Sequence, residues 1–272
     1  MKECMKNLNS KWLRMTLSCI CIIFSVFLSP VPIQAAEQET PPHLIQTVTD
    51  KDIYEGMLAL GMSECSVLSE ENAEEAYEIV KDCVVKVNMG NAYGSGVIWQ
   101  MTSDEVIIAT NRHVLDYWDE KVSYIHFPQG YYAKAELLGV SDEYDVGFLA
   151  VDVEELGYEA LEQLRYVSRN MEEYEQLMPD DAIFFVGAQE GDTAGFFLGS
   201  VGDMWRYIEE FEAYMIYGYG YARAGMSGGG TFDAKGNFVG MISGGTAESE
   251  TASVPLISIE AAYAEICHKL LI

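Results

Sequence analysis

The chain has 272 residues, and its 43 acidic and 16 basic side chains give a formal net charge of −27 at pH 7. Such a charge repels nucleic acid and anionic lipid, and the chain has no basic stripe, so we expect neither partner. Hydrophobic residues make up 49% of the chain, enough for a sizeable core, and 24 glycines among short runs of Val, Ile, Tyr and Phe favour an all-β body.

The first 36 residues have the pattern of a secretory signal peptide. A basic start precedes the apolar stretch 15–28, and cleavage is expected after Ala35 or Ala36. The stretch is short for a membrane span, which needs about 20 apolar residues; a retained signal anchor is the alternative. We therefore predict an exported protein, secreted or held at the cell surface. Residues 37–72 form a leader of undefined structure.

Three cysteines remain after the signal, namely Cys65, Cys83 and Cys267. Their odd number and wide spacing favour buried thiols over a disulfide framework, although one pair could form. No group of side chains has metal-ligand spacing. We expect neither a metal nor a cofactor.

A region of domain size, 73–271, follows the leader, and its first half has strand character. Asn72 and Glu75 predict a capped helix that ends near residue 82. Six apolar or alternating runs then predict a first antiparallel β-barrel over about 84–151. The predicted strands are 84–88, 95–101, 105–109, 122–127, 132–139 and 146–151.

The pattern changes between residues 153 and 178, where leucines recur at three- or four-residue spacings among glutamates. This spacing predicts a helical connector. A second barrel of six strands is expected over about 181–257, followed by a closing helix at about 259–271. The predicted strands are 182–186, 195–201, 213–219, 230–232, 238–243 and 253–256.

Ser227 is the strongest candidate for a reactive side chain, because glycines surround it and a sharp turn can hold its hydroxyl out of the backbone. The amides of Gly225 and Ser227 can offer two donors to an oxyanion. A serine hydroxyl needs a base to act as a nucleophile. His113, which follows an apolar strand, is better placed for this role than the other histidines. Those are His43, His126 and His268.

A carboxylate should orient the imidazole and stabilise the imidazolium. Asp145 immediately precedes an apolar strand and is our choice. Asp116, Asp119 and Asp142 remain alternatives, and only their more polar surroundings argue against them.

Three motifs in the order His, Asp, Ser resemble those of the trypsin-like serine peptidases, most closely their bacterial HtrA-like branch. Thr-Asn-Arg-His-Val at 110–114 resembles the Thr-Asn-x-His-Val stretch of that branch. The strand from Asp145 resembles its Asp-x-Ala-Val-Leu, and Gly-Met-Ser-Gly-Gly at 225–229 resembles its Gly-Asn-Ser-Gly-Gly. Further matches, such as Gly-Ser-Gly at 94–96, extend the resemblance from about residue 84 to residue 259.

The resemblance implies two six-stranded antiparallel barrels of the chymotrypsin type with the active site between them. It implies an exported serine endopeptidase that hydrolyses protein or peptide substrates through a Ser227–His113–Asp145 triad and an acyl-enzyme. Gly225 and Ser227 would form the oxyanion hole. We expect no PDZ domain, which many HtrA-like enzymes carry.

The same resemblance places Tyr221 at the base of the primary substrate pocket, with Ser243, Gly244 and Gly245 along its wall. No acid stands at the base and two glycines leave room, so an apolar substrate side chain is expected. The alternative function is a non-catalytic binding module of the same fold at the cell surface.

Overall fold

The computed structural model describes residues 48–188, 194–245 and 249–271. The predicted signal peptide and the first part of the predicted leader lie outside these residues. Within them, the structure contains no helix with the length and apolar character needed to cross a membrane. The strands are β1 (Val84–Asn88), β2 (Tyr93–Met101), β3 (Glu105–Thr110), β4 (Tyr124–His126), β5 (Tyr132–Ala133), β6 (Glu136–Val140), β7 (Gly147–Asp152), β8 (Ala182–Ala188), β9 (Ala194–Ile208), β10 (Ala213–Gly220), β11 (Gly230–Asp233), β12 (Phe238–Gly245) and β13 (Glu250–Pro255).

Helices occupy the ends and the connections of this mostly β chain, and two of them, at residues 50–59 and 112–115, were not predicted. They are α1 (Asp50–Ala59), α2 (Ala73–Val80), α3 (Arg112–Leu115), α4 (Val153–Leu156), α5 (Tyr158–Leu161), α6 (Met171–Gln176) and α7 (Leu256–Leu270), with short 3-10 turns at Lys81–Cys83 and Glu209–Phe211.

The first half forms a curled seven-stranded sheet in the order β5-β4-β1-β2-β3-β7-β6, not the closed six-stranded barrel that we expected. The predicted strand 132–139 divides at Lys134, because β5 pairs with β4 at one edge and β6 pairs with β7 at the other. The Lys134 amide donates to the Glu155 carboxylate at 2.9 Å, outside the sheet. The edge strands β5 and β6 are therefore connected only through the backbone between them, and not by the hydrogen bonds that would close a barrel.

The second half is a closed barrel in the order β10-β13-β12-β11-β8-β9. Its six strands confirm the predicted number. β9 continues to Ile208, well past the predicted end at residue 201, and forms a long hairpin with β10.

Strands in both halves alternate between two buried faces, which explains their nearly continuous apolar runs. In β2, Ile98 points into the curl of the first sheet, whereas Val97 and Trp99 belong to a larger core that both halves share. In β8, Phe185 lies in a small cluster of the second barrel while Phe184 joins the shared core. This shared core holds the two halves together along a common wall.

The segment predicted as a leader packs on both halves from residue 50 onward, and the Leu68 amide donates to the Lys235 carbonyl of the second half at 2.9 Å. Thr49 caps α1 through a capping box with Asp52. The fully buried Tyr54 donates its hydroxyl to the Thr102 carbonyl at 2.6 Å. Cys65 and Cys83 form a disulfide, which corrects the expectation of buried thiols; Cys267 is free. Proximity that folding creates across 18 residues is not visible in the spacing alone.

The predicted helical connector is three short helices, α4, α5 and α6. Gly157 adopts φ +79° and ends α4. Between α5 and α6 the chain is not helical, because the Val167 amide donates to the Ile98 carbonyl of β2. The closing helix α7 begins at Leu256, three residues earlier than predicted, directly after Pro255. Its Glu265 accepts from the Ser141 hydroxyl at 2.7 Å, on the turn that precedes β7.

Candidate active site

The ends of two paired strands bring His113 and Asp145 together. β3 and β7 are antiparallel neighbours, with Thr110 opposite Gly147. His113 lies on α3, which begins just after β3, and Asp145 lies in the turn just before β7. Two residues that are 32 positions apart in sequence thus lie close together in space. The His113 side chain is 43% exposed, whereas that of Asp145 is only 16% exposed.

Both carboxylate oxygens of Asp145 bind His113. Oδ1 accepts from the His113 backbone amide at 3.0 Å, and Oδ2 lies 2.8 Å from Nδ1 of the ring. A carboxylate oxygen accepts this hydrogen bond, so Nδ1 is the donor, and in the neutral ring this tautomer leaves Nε2 as the acceptor. The alternative Asp142 instead pairs with Lys269 at 2.8 Å. Of the four candidate acids, the structure places Asp145 against the ring.

Ser227 lies on the turn between β10 and β11, and glycines make this turn possible. Gly225 and Gly228 have φ values of +92° and +89°, which side chains rarely adopt. A Cβ on Gly225 would collide with the Tyr93 ring, and one on Gly228 would collide with the Ser95 carbonyl oxygen. The turn is therefore packed tightly against the first half of the molecule.

The backbone amides of Gly225 and Ser227 do not take part in the hydrogen bonds within this turn. The Met226 carbonyl accepts from the Gly229 amide at 2.8 Å, and the two polar groups of a trans peptide point in opposite directions, so the Ser227 N–H faces the other way. Among the described residues, neither the Gly225 amide nor the Ser227 amide has an acceptor. Two free donors beside one hydroxyl are the arrangement that stabilises an oxyanion.

The Ser227 hydroxyl donates to the Ser243 carbonyl at 3.3 Å, and within the described residues no hydrogen bond joins it to the His113 ring. The two sides meet through Asn111 instead. The Asn111 side-chain amide donates to the Asp145 carbonyl at 3.0 Å and to the Ser243 hydroxyl at 2.8 Å. Ser227, Ser243, Asn111, Asp145 and His113 thus form one connected hydrogen-bonded set.

Ser95 of β2 fixes the turn from the opposite side. Its hydroxyl donates to the Gly225 carbonyl at 2.7 Å and accepts from the Ala188 amide at 2.7 Å. Its backbone amide donates to the Ser227 carbonyl at 2.8 Å. Because Ser95 is fully buried, these bonds are made without competition from water, and they orient the Gly225–Met226 and Ser227–Gly228 peptide units.

The residues assigned to the substrate pocket have separate surroundings. Tyr221 packs edge-on against Phe197 with ring centroids 5.4 Å apart. Ser243 is buried beside Ser227. A Cβ on Gly244 would lie 2.7 Å from the Phe211 ring, and one on Gly245 would lie 2.8 Å from the Ala222 Cβ. The space that a side chain at either glycine would need is therefore already occupied by these neighbours. Their role in substrate binding stays a prediction.

The sequence predicted no role for Ser95 or Asn111, although both belong to the motifs on which the resemblance rests. The signal that could have found them is a polar residue inside or directly after an apolar strand. Both are fully buried, and buried polar groups need hydrogen-bond partners. Within the described part of the chain, no group of three or more His, Cys, Asp or Glu side chains is arranged to hold a metal ion.

Comparison with known proteins identifies the family. The family model of the trypsin-like peptidase domain matches residues 94–241, which is more than half of the chain and includes His113, Asp145 and Ser227. The chain belongs to this family. No curated protein sequence matches it significantly.

Solved structures with the trypsin-like fold include HtrA-type proteases. The HtrA-type protease AlgW, solved with a tripeptide, superposes with a TM-score of 0.60 at 21% identity, over 72% of this chain and 63% of that one. Deg5 superposes with a TM-score of 0.56 at 17% identity, over 69% of this chain and 90% of Deg5. This trypsin-like chain therefore spans less than two thirds of AlgW. The predicted fold class is confirmed.

Proposed function

We propose that the protein is an exported serine endopeptidase. The hydrogen-bonded set that connects Asp145 and His113 to the turn bearing Ser227 carries this proposal. In the proposed reaction, His113 Nε2 takes the proton as Ser227 Oγ attacks the substrate carbonyl. The proton then passes to the leaving amine, and water releases the acyl-enzyme by the same route.

The amides of Gly225 and Ser227 would stabilise the tetrahedral oxyanion, by roughly 3 kcal/mol per donor in comparable sites. Family membership and the tripeptide in the AlgW structure support a protein or peptide as substrate. Asp145 would hold the imidazole in the required tautomer.

Export rests on a separate observation. The Cys65–Cys83 disulfide supports an oxidising compartment such as the cell exterior, since disulfides rarely persist in the cytosol. We propose that residues 1–36 act as the signal peptide, with a retained anchor as the alternative, and that the peptidase domain covers 73–271. Amino-terminal sequencing of the exported protein tests this, because a start at Met1 would rule out cleavage.

Labelling with a fluorophosphonate probe tests the catalytic proposal. We expect the wild-type protein to react, and Ser227→Ala and His113→Ala to lose the reaction by a factor on the order of 10⁴ or more. Ser103→Ala, which changes an exposed serine, is the matched control and should label normally. Equal labelling of wild type and Ser227→Ala would contradict the proposal.

A non-catalytic binding module is the second candidate, and one observation favours it. The Ser227 hydroxyl donates to the Ser243 carbonyl instead of to the His113 ring. A folded wild-type protein that never labels would support this candidate.

A further inference from the structure

A cavity opens next to the strand that carries Ser243. It has a volume of about 610 Å³ and is bounded by Gly244 and Gly245 of β12 on one side and by the end of the β9–β10 hairpin on the other. Because the Ser243 carbonyl accepts from the Ser227 hydroxyl, the cavity begins one residue beyond the candidate active site. A peptide lying along β12 would reach it.

Carboxylates dominate the charge of this cavity. Glu209, Glu210 and Glu250 line it, against the single guanidinium of Arg206. Arg206 lies over the Tyr217 ring at 4.1 Å from its centroid, and a hydrogen bond to Glu250 raises the pKa of Tyr217. Both Arg206 and Glu250 therefore already have partners.

Glu209 and Glu210 are different, since both are exposed and neither forms an ion pair with any residue in the described part of the chain. They lie on the 3-10 turn at the tip of the hairpin, whose third residue is Phe211. Two unpaired carboxylates at the mouth of a cavity attract a cation.

Three aromatic side chains line the same cavity as these carboxylates. Phe211 lies against Gly244, and Tyr207 and Tyr217 line the same cavity. Lysine and arginine pack their aliphatic stems on apolar surface while the charged head stays near water or a carboxylate. Cations also interact favourably with aromatic faces. A cavity lined by both aromatic rings and unpaired carboxylates suits a long cationic side chain better than a short or an acidic one.

We propose that this cavity is a subsite for a lysine or arginine side chain of the peptide substrate, within about four residues of the scissile bond at the extended-strand rise. The inference rests on the proposed function for its peptide ligand. It is distinct from the apolar preference expected at the residue that is cleaved.

Equilibrium binding to Ser227→Ala protein tests the subsite without requiring hydrolysis. The probes are peptides of one sequence in which lysine or norleucine, of similar length but uncharged, is placed at each position in turn. We expect one position, other than the cleaved residue, to favour lysine about fivefold at low ionic strength, and the preference to fall as salt is added.

Glu209→Gln combined with Glu210→Gln should reduce that preference to less than twofold. The matched control combines Glu70→Gln with Glu71→Gln, an exposed pair outside the cavity with the same change in net charge, and should keep the preference. Equal binding of lysine and norleucine peptides would overturn the subsite, as would an equal loss in both double variants. A lysine preference in a protein whose wild type never labels would support the subsite and count against hydrolysis.

Discussion

The two halves of the molecule solve the problem of sheet edges in different ways. The second half closes all six strands into a barrel, whereas the first half leaves two edges that only the chain connection joins. Unpaired edges need cover. In the first half a helix contacts each edge strand, α4 at β5 and α7 at β6, whereas a closed barrel has no free edge to cover.

The same difference extends to the candidate site. The first half supplies His113 and Asp145, which hold each other through side-chain bonds on paired strands. The second half supplies Ser227 on a glycine turn whose conformation depends on Ser95 and on close contact with the first half. The barrel that carries the candidate nucleophile therefore cannot shape its turn alone.

Gly228→Ala should have the largest effect, because it disrupts the contact between the halves. Its Cβ would collide with the Ser95 carbonyl oxygen and lie 2.5 Å from the Thr110 hydroxyl oxygen. We expect a loss of more than about 3 kcal/mol in the free energy of unfolding and no fluorophosphonate labelling. Denaturant unfolding and labelling measure the two effects.

Gly61→Ala is the control for Gly228→Ala. Gly61 also has a positive φ, at +69°, but a Cβ there would meet nothing within 4 Å. Backbone strain alone should then cost about 1 kcal/mol. If both variants lost a similar free energy of unfolding, the close contact of Gly228 with the first half would contribute nothing to stability.

Removing the disulfide should weaken the attachment of the segment that precedes the open half. Cys65→Ala combined with Cys83→Ala frees the segment that precedes β1, and we expect the free energy of unfolding to fall by about 2–4 kcal/mol. Cys267→Ala, which removes the free thiol, should change it by less than about 1 kcal/mol. Reductant should lower the Tm of wild type and leave that of the double variant unchanged. Equal Tm values for wild type with and without reductant would contradict this.

Glu265→Gln should have the smallest effect, since it loosens only the contact between α7 and the turn before Asp145. Hydrogen bonds from Lys269 and from the Ser141 hydroxyl hold the pKa of Glu265 below its ordinary 4.5. A lowered folded-state pKa adds stability above the ordinary value, and that stability is lost as the pH falls through the folded-state pKa. The variant should melt slightly below wild type at pH 7, and this difference should vanish in acid.

Tm measured against pH tests this expectation, with the exposed Glu159→Gln as the control variant. A Glu265→Gln difference that grows as the pH falls below 4.5 would contradict it.

Local pattern was sufficient for much of this protein. Apolar runs with turns between them predicted most strands, and Asn72 does cap α2 by accepting from the Glu75 amide at 3.2 Å. The residue types His113, Asp145 and Ser227, in their order along the chain, predicted the family. These features depend on residues that are near each other in sequence or on a motif that can be read directly.

Tertiary structure alone decided the features that join distant residues. The Ser95 hydroxyl reaches Gly225, the Asn111 amide reaches Ser243, and Cys65 pairs with Cys83. The division of the strand at Lys134 likewise depends on which edge each part can pair with. Spacing along the chain does not encode such pairings, because they arise only when two separately folded sheets pack against a shared core and each buried polar group must find a partner.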